Sequence, residues 1–228
     1  MRFRCADPAA DDLVLLMIIS PQRRYVFVHI PKTGGTSMAL ALEGRAAKND
    51  ILIGDTPKAR RRRGRLRHLQ TPGRLWKHST IRDIGTLINP ADFFVFTLVR
   101  NPWDRMVSYY HWLREQRFDH PAVTSAQTYD FKDFLSHPQT QMSLQQNSYR
   151  SYVVDEAGVD HCCLYARLEY PDDLEPLWDH LAFRVSVSHE NRSDRHKDWR
   201  IYYDTETADI VQEKAGEDIA RFGYTFDP

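Results

Sequence analysis

The sequence predicts an α/β fold, a P-loop-like parallel β-sheet flanked by helices on both faces in a single domain. Three observations carry that prediction. Residues 25–30 (Tyr-Val-Phe-Val-His-Ile) and 93–99 (Phe-Phe-Val-Phe-Thr-Leu-Val) are short, continuous runs of β-branched and aromatic residues. Strands buried on both faces read this way. Each run passes at once into turn chemistry and then a helical pattern, the alternation typical of parallel sheets. The chain has 228 residues, 42% hydrophobic and 27% charged, which is ordinary for one globular domain and excludes a disordered or fibrous chain.

The elements follow in order. Residues 1–16 mix Asp, Pro and Ala ahead of an apolar run and read as a loosely attached extension; residues 17–228 form the domain. The first strand ends at Pro31, and Gly34-Gly35 marks a turn. Thr36 or Ser37 then caps a helix through Met38, Leu40, Ala41 and Leu42. Residues 56–77, punctuated by Pro57, Gly64, Pro72 and Gly73, read as a basic loop. A short helix is expected over 80–87. After the second strand, Asn101 suits an N-cap and Pro102 the first helical position. Trp103, Met106, Val107, Tyr110 and Leu113 then recur three and four apart, as on one face of a helix. Further helices are expected over 131–136, 143–154, 172–181 and 205–221, and strands over 161–165 and 183–187.

Charge is balanced, 31 basic against 31 acidic residues, but unevenly spread. Residues 56–82 hold ten Lys and Arg and no acid, which concentrates positive potential and suits an anionic partner. The six arginines within 60–67 read either as a solvated, flexible run or as a lid facing an anionic acceptor. No specific nucleic-acid motif accompanies them. Cys5, Cys162 and Cys163, odd in number and two of them adjacent, fit neither a disulfide framework nor a zinc spacing. The longest apolar run has seven residues, against about 20 needed to span a bilayer, and no signal-cleavage pattern follows it. The expected setting is cytoplasmic, and oligomeric state is not readable.

Two motifs carry chemistry. In Pro31-Lys32-Thr33-Gly34-Gly35-Thr36-Ser37, glycines open the backbone at a helix N-terminus, where N–H groups and the helix dipole attract anions. Lys32 adds a full charge, and Thr33, Thr36 and Ser37 add hydroxyls. The order is not Walker A, which places Lys after the last Gly and before Ser/Thr. The bland alternative is a tight strand-to-helix turn. His29, inside the strand, reads as a satisfied core histidine. In Arg100-Asn101-Pro102-Trp103-Asp104-Arg105, Arg100 ends a strand, where ligands of open α/β sheets bind, and presents a fork suited to phosphate. Ser108 lies two turns into the helix, where its hydroxyl could meet the same anion. The alternative has Arg100 in a structural ion pair and Ser108 as packing. Arg105 reads as a structural partner of Asp104 or a nearby acid.

Together, in order and each after a strand, these motifs resemble those of the family 2 sulfotransferases, the carbohydrate and heparan-sulfate type and their bacterial relatives. Lys77-His78-Ser79-Thr80, Arg167-Leu168-Glu169, Asn191-Arg192-Ser193 and the ending Phe222-Gly223-Tyr224-Thr225-Phe226 add to the similarity, which spans residues 17–228. The resemblance implies sulfuryl transfer from 3′-phosphoadenosine 5′-phosphosulfate (PAPS) to a hydroxyl of an acceptor, a carbohydrate or another small molecule, leaving adenosine 3′,5′-bisphosphate (PAP). It implies that Lys32, Thr33, Gly34, Gly35, Thr36 and Ser37 hold the 5′-phosphosulfate. Arg100 and Ser108 would hold the 3′-phosphate, and Arg192 and Ser193, with Arg195 as a further candidate, would close over the nucleotide.

Such a transfer needs charge neutralised on the leaving oxygen, which suits Lys32, and a base for the acceptor. His78 is the expected base, since a histidine titrates near neutrality and stands where the family carries one. Glu169 is the alternative base, or else the partner of Arg167 in an ion pair. No metal is expected. A P-loop kinase-like phosphotransferase and a noncatalytic nucleotide- or polyanion-binding module are the competing readings. Trp76, Tyr109, Tyr110 and Trp112 could stack on an acceptor ring or belong to the core.

Overall fold

A computed structural model describes residues 16–72, 75–187 and 195–227. They form two compact units, one of residues 16–101 and 147–187 and the other of 102–146 and 195–227. The first holds the sheet, with strands β1 (Leu16–Ser20), β2 (Tyr25–Val28), β3 (Ile51–Gly54), β4 (Phe94–Val99) and β5 (Cys162–Arg167). Helices α1 (Gly35–Gly44), α2 (Pro57–Arg62) and α3 (Ile81–Ile84) belong to it. The second unit has α4 (Pro102–Arg114), α5 (Pro121–Thr128), α6 (Phe131–Ser136) and α7 (Pro138–Gln146). Chain order then gives α8 (Glu175–Leu181) to the sheet unit, and α9 (Thr205–Lys214) and α10 (Gly216–Phe222) to the second.

The α/β class holds. The strand order is β3-β1-β2-β4-β5, and β2, β4 and β5 are parallel. The sheet is mixed rather than parallel throughout, because β1 pairs antiparallel with both β2 and β3. Only four residues join β1 to β2, and a link that short makes a hairpin, since parallel neighbours need a crossover of a dozen or more residues. Leu16, Ile18, Tyr25, Phe27, Phe96 and Leu98 form one core with Met38 and Leu42 of α1 and Leu177 and Trp178 of α8. The alternate residues Met17, Ile19, Val26, Val28, Val95 and Val99 are fully buried too, so these strands are covered on both faces. Thr97, at 0% exposure, is tolerated there because its hydroxyl donates to the Val28 carbonyl at 2.7 Å.

Several local expectations change. Leu16 is a strand residue, and residues 1–15 lie outside those described. α1 starts at Gly35 with Gly34 at its N-cap in the left-handed region (φ 80°), so neither Thr36 nor Ser37 caps it. The expected strand over 183–187 is irregular chain; Phe183, Val185 and Val187 pack against the sheet core instead. The expected helix over 143–154 is α7 followed by a 3-10 turn at Tyr149–Tyr152. The last expected helix is divided between α9 and α10 around Ala215.

The basic segment is helical over residues 57–68 rather than a loop throughout: α2 continues into a 3-10 helix at Arg63–His68, and the described residues from there to α3 are irregular. Thr56 caps α2 by accepting from Ala59 N–H at 2.8 Å, and Pro57 occupies its first turn, as favoured there. Its cations reach back to the C-terminal end of α1 and the chain just beyond it. Lys58 donates to the Glu43 carbonyl, Arg62 to that of Ala47 at 2.8 Å and Arg65 to that of Lys48. Carbonyls at and beyond a helix C-terminus attract cations in this way. Thr56 is buried and its hydroxyl donates to the buried Glu43 carboxylate. Thr56→Ala removes a cap and strands that carboxylate, so it is expected to cost about 2 kcal/mol in urea unfolding; Thr56→Ser should recover most of it.

The second unit is helical among its described residues. Trp103, Met106, Val107, Tyr110 and Leu113 of α4, the residues whose spacing predicted the helix, enter one core with Phe134, Leu144, Trp199, Val211 and Ile219. Trp103 donates through Nε1 to the Ala208 carbonyl at 3.0 Å, and Tyr203 through its hydroxyl to the Trp103 carbonyl at 2.8 Å. No described helix is long and apolar enough to cross a membrane.

Candidate functional site

In the sheet unit, the parallel strands β2, β4 and β5 all end at the same side, with Val28 opposite Thr97 and Val99 opposite Arg167. Three sequence-predicted segments therefore meet there: the loop from Pro31 to Ser37, Arg100-Asn101 after β4 and Leu168-Glu169 after β5.

The loop is built for backbone exposure. Lys32 sits in the left-handed region (φ 66°), as does Gly34 (φ 80°). A lysine there costs about 1–2 kcal/mol, a cost that surrounding structure must hold in place. Thr33 is fully buried and its hydroxyl donates to the Ile30 carbonyl at 2.9 Å. Thr33 thus closes the loop with its side chain, and its hydroxyl proton is not directed to a ligand. α1 follows with no acid in its first turn and no side-chain cap at Gly34, so the positive end of its dipole carries no built-in counter-charge. Ser37 is 7% exposed.

Two glycines are required by contact. A Cβ on Gly34 would lie 2.6 Å from Leu168 Cδ1, and one on Gly35 would lie 2.3 Å from His29 Cδ2. His29 therefore has a structural use beyond filling the core: its ring forms the floor under the first turn of α1. Its Nδ1 accepts from Leu16 N–H at 3.4 Å, which leaves the proton on Nε2. Burial, and after it the nearby charges of His78, Lys77 and Lys32, hold the His29 pKa well below the ordinary histidine value. Below about pH 6.5 the unfolded chain protonates this ring and the folded one does not, so stability falls as pH is lowered through that range. Unfolding free energy is expected to drop on the order of 1 kcal/mol per pH unit below 6.5 from this group. Urea titrations of the parent and His29→Gln at pH 7.0 and 5.5 read it as a smaller loss in the variant.

His78 is brought to the same place from 49 residues away. Its Nδ1 lies 2.8 Å from the His29 carbonyl. A carbonyl only accepts, so Nδ1 carries the proton and Nε2 is the ring's proton-accepting nitrogen. The two rings meet edge to face at 4.9 Å. Lys77, beside it, has a pKa lowered chiefly by burial, against an upward pull from Asp55. Lys77 belongs to the basic run and stands next to His78 in sequence; its half-burial is visible only in the fold.

Arg100 reaches the loop, its guanidinium donating to the Lys32 carbonyl at 3.3 Å. Tyr149 holds the Arg100 carbonyl through its hydroxyl; nothing in the sequence around Tyr149 signals that role. Glu169 accepts from Asn101 N–H at 2.7 Å. The Arg167 fork grips Asp173 at 2.7 and 3.0 Å. Asp104 pairs with Arg195 at 2.6 Å, with both side chains largely buried. Ser108 is on α4 in the helical unit, 5% exposed. Arg192 and Ser193 lie outside the described residues. Among the described residues no group of three or more His, Cys, Asp or Glu is placed to hold a metal.

Comparison with known proteins adds one match. A family model described as the sulfotransferase family aligns with residues 16–224, nearly the whole chain. No curated protein matches it.

Proposed function

The chain belongs to the sulfotransferase family, and from that premise we propose that it transfers a sulfuryl group from PAPS to an acceptor hydroxyl, on a carbohydrate or another small molecule. The observation that carries the reading is the meeting of the Lys32 loop, Arg100 and His78 at one end of the parallel strands. This donor set is cationic and rich in N–H groups, which fits phosphate and sulfate oxygens.

In this reading the backbone of residues 33–36 and the Ser37 hydroxyl hold the 5′-phosphosulfate, whose bond to sulfur is the one broken. Lys32 offsets the charge that grows on the leaving phosphate oxygen. Arg100 takes the 3′-phosphate through its fork. His78 Nε2 takes the proton of the acceptor hydroxyl as the new S–O bond forms. With Asn101 N–H on its carboxylate, Glu169 serves as an anchor for the chain after β4 rather than as the base.

Titration calorimetry with PAP in magnesium-free buffer tests the reading. The parent protein is expected to bind, and Lys32→Ala and Arg100→Ala each to weaken binding at least about tenfold, the worth of one charge-assisted contact. Absence of PAP binding, or a magnesium-dependent preference for ATP, overturns it.

A further inference from the structure

We propose that Trp76 is the acceptor platform of this site, and that the acceptor presents its hydroxyl from a six-membered ring with a flat apolar face, a sugar or a phenol, rather than from an acyclic chain. The inference rests on the reading of His78 as the base. Three observations outside that reading support it.

The first is exposure in the wrong place for packing. Trp76 is 51% exposed, while Tyr110, also an aromatic that could have met a ring, is 5% exposed in the helical core. Tyr109 and Trp112 pack against that same core. An indole left half in water forfeits much of the burial that usually retains this residue type. The second is contact. The Trp76 ring lies edge to face with His78, centroids 5.1 Å apart and planes at 85°. Of the half-exposed tyrosines, Tyr170 lies under the Arg167 guanidinium at 4.1 Å and Tyr129 sits beside His137. The third is rigidity. Trp76 N–H donates to Ser79 Oγ at 2.9 Å, and Ser79 N–H returns a bond to the Trp76 carbonyl at 2.9 Å. Ser79 is fully buried. The chain then enters α3 through a capping box between Thr80 and Asp83, with Ile81 and Ile84 fully buried. The indole is thus mounted on a fixed turn.

The consequence is steric and hydrophobic. A hydroxyl within hydrogen-bond reach of His78 hangs on a carbon that lies within a ring's width of the indole. A flat ring can cover the exposed indole while offering that hydroxyl, and gains from the water it displaces. An acyclic alcohol reaches the base without covering the indole.

Saturation-transfer NMR with phenyl β-D-glucopyranoside, on the full chain with and without PAP, tests the platform without turnover. The probe carries both ring types, so the protons that receive saturation separate a sugar face from an aryl face. Saturation of one ring is expected in the parent, reduced about tenfold in Trp76→Ala and largely kept in Trp76→Phe, with none for sorbitol. Equal saturation in the parent and Trp76→Ala, or none in either, overturns the proposal. PAP binding, measured on the same samples, should be unchanged in Trp76→Ala. Loss of PAP binding by the parent would instead strike the sulfotransfer reading, and the two failures are read separately.

Discussion

Gly35→Ala is expected to abolish PAP binding and to destabilise the sheet unit. The added methyl would stand 2.3 Å from His29 Cδ2 and 2.6 Å from its Nε2, far inside van der Waals contact. His29 has little room to yield, being 1% exposed, tied at Nδ1 to β1 and stacked on Phe27. Relief must therefore come from the first turn of α1, the part that presents its N–H groups to an anion. Overpacking of this kind costs about 1–3 kcal/mol in stability, and a sub-ångström shift of the turn spoils anion geometry. Urea unfolding and PAP calorimetry measure the two effects. The decisive comparison is the double variant Gly35→Ala with His29→Ala. If the clash is the cause, the pair is less damaged than the sum of the two single changes, because removing the ring makes the space the methyl needs. Strict additivity would assign the damage elsewhere.

His78→Gln is expected to lower sulfuryl transfer about 10²–10⁴-fold, the usual worth of a positioned general base, while PAP affinity stays within about twofold of the parent. Glutamine can still donate to the His29 carbonyl that Nδ1 meets at 2.8 Å, so the change removes the proton acceptor more than the anchor. In the parent, log kcat/KM should climb with unit slope on the acid side of its profile, since only the neutral ring accepts a proton, and the variant should lose that limb. Nitrogen-15 NMR of the neutral parent should show the proton on Nδ1 of His78. A proton on Nε2, or turnover that survives in His78→Gln with PAP binding lost, would remove His78 from the role of base.

These two residues show how the site divides between local and distant information. The Lys32 loop and Arg100 are legible in one dimension. A continuous apolar run, a proline or asparagine stop and a glycine or proline helix start are neighbours in sequence, and they place each segment at a strand's C-terminal end without reference to the rest of the chain. The regular face of α4 is legible for the same reason, since its five spaced apolar residues all reach one core. The expectation of His78 as base rests on histidine chemistry and on resemblance; its place beside the His29 carbonyl is a contact across 49 residues that no periodicity encodes.

What the sequence by itself determined is the α/β class, the two strand-to-helix junctions and the cationic, hydroxyl-bearing character of the loops that follow them, because turn chemistry and buried-strand patterns act over a few residues. Only the tertiary structure decided the antiparallel β1 and β3, the use of the arginine segment to hold carbonyls after α1, the Asp104 pairing with Arg195 and the floor that His29 makes beneath Gly35. Partner choice among charged and packed groups depends on which segments the sheet order brings side by side, and that order is set by pairing between strands far apart in the chain.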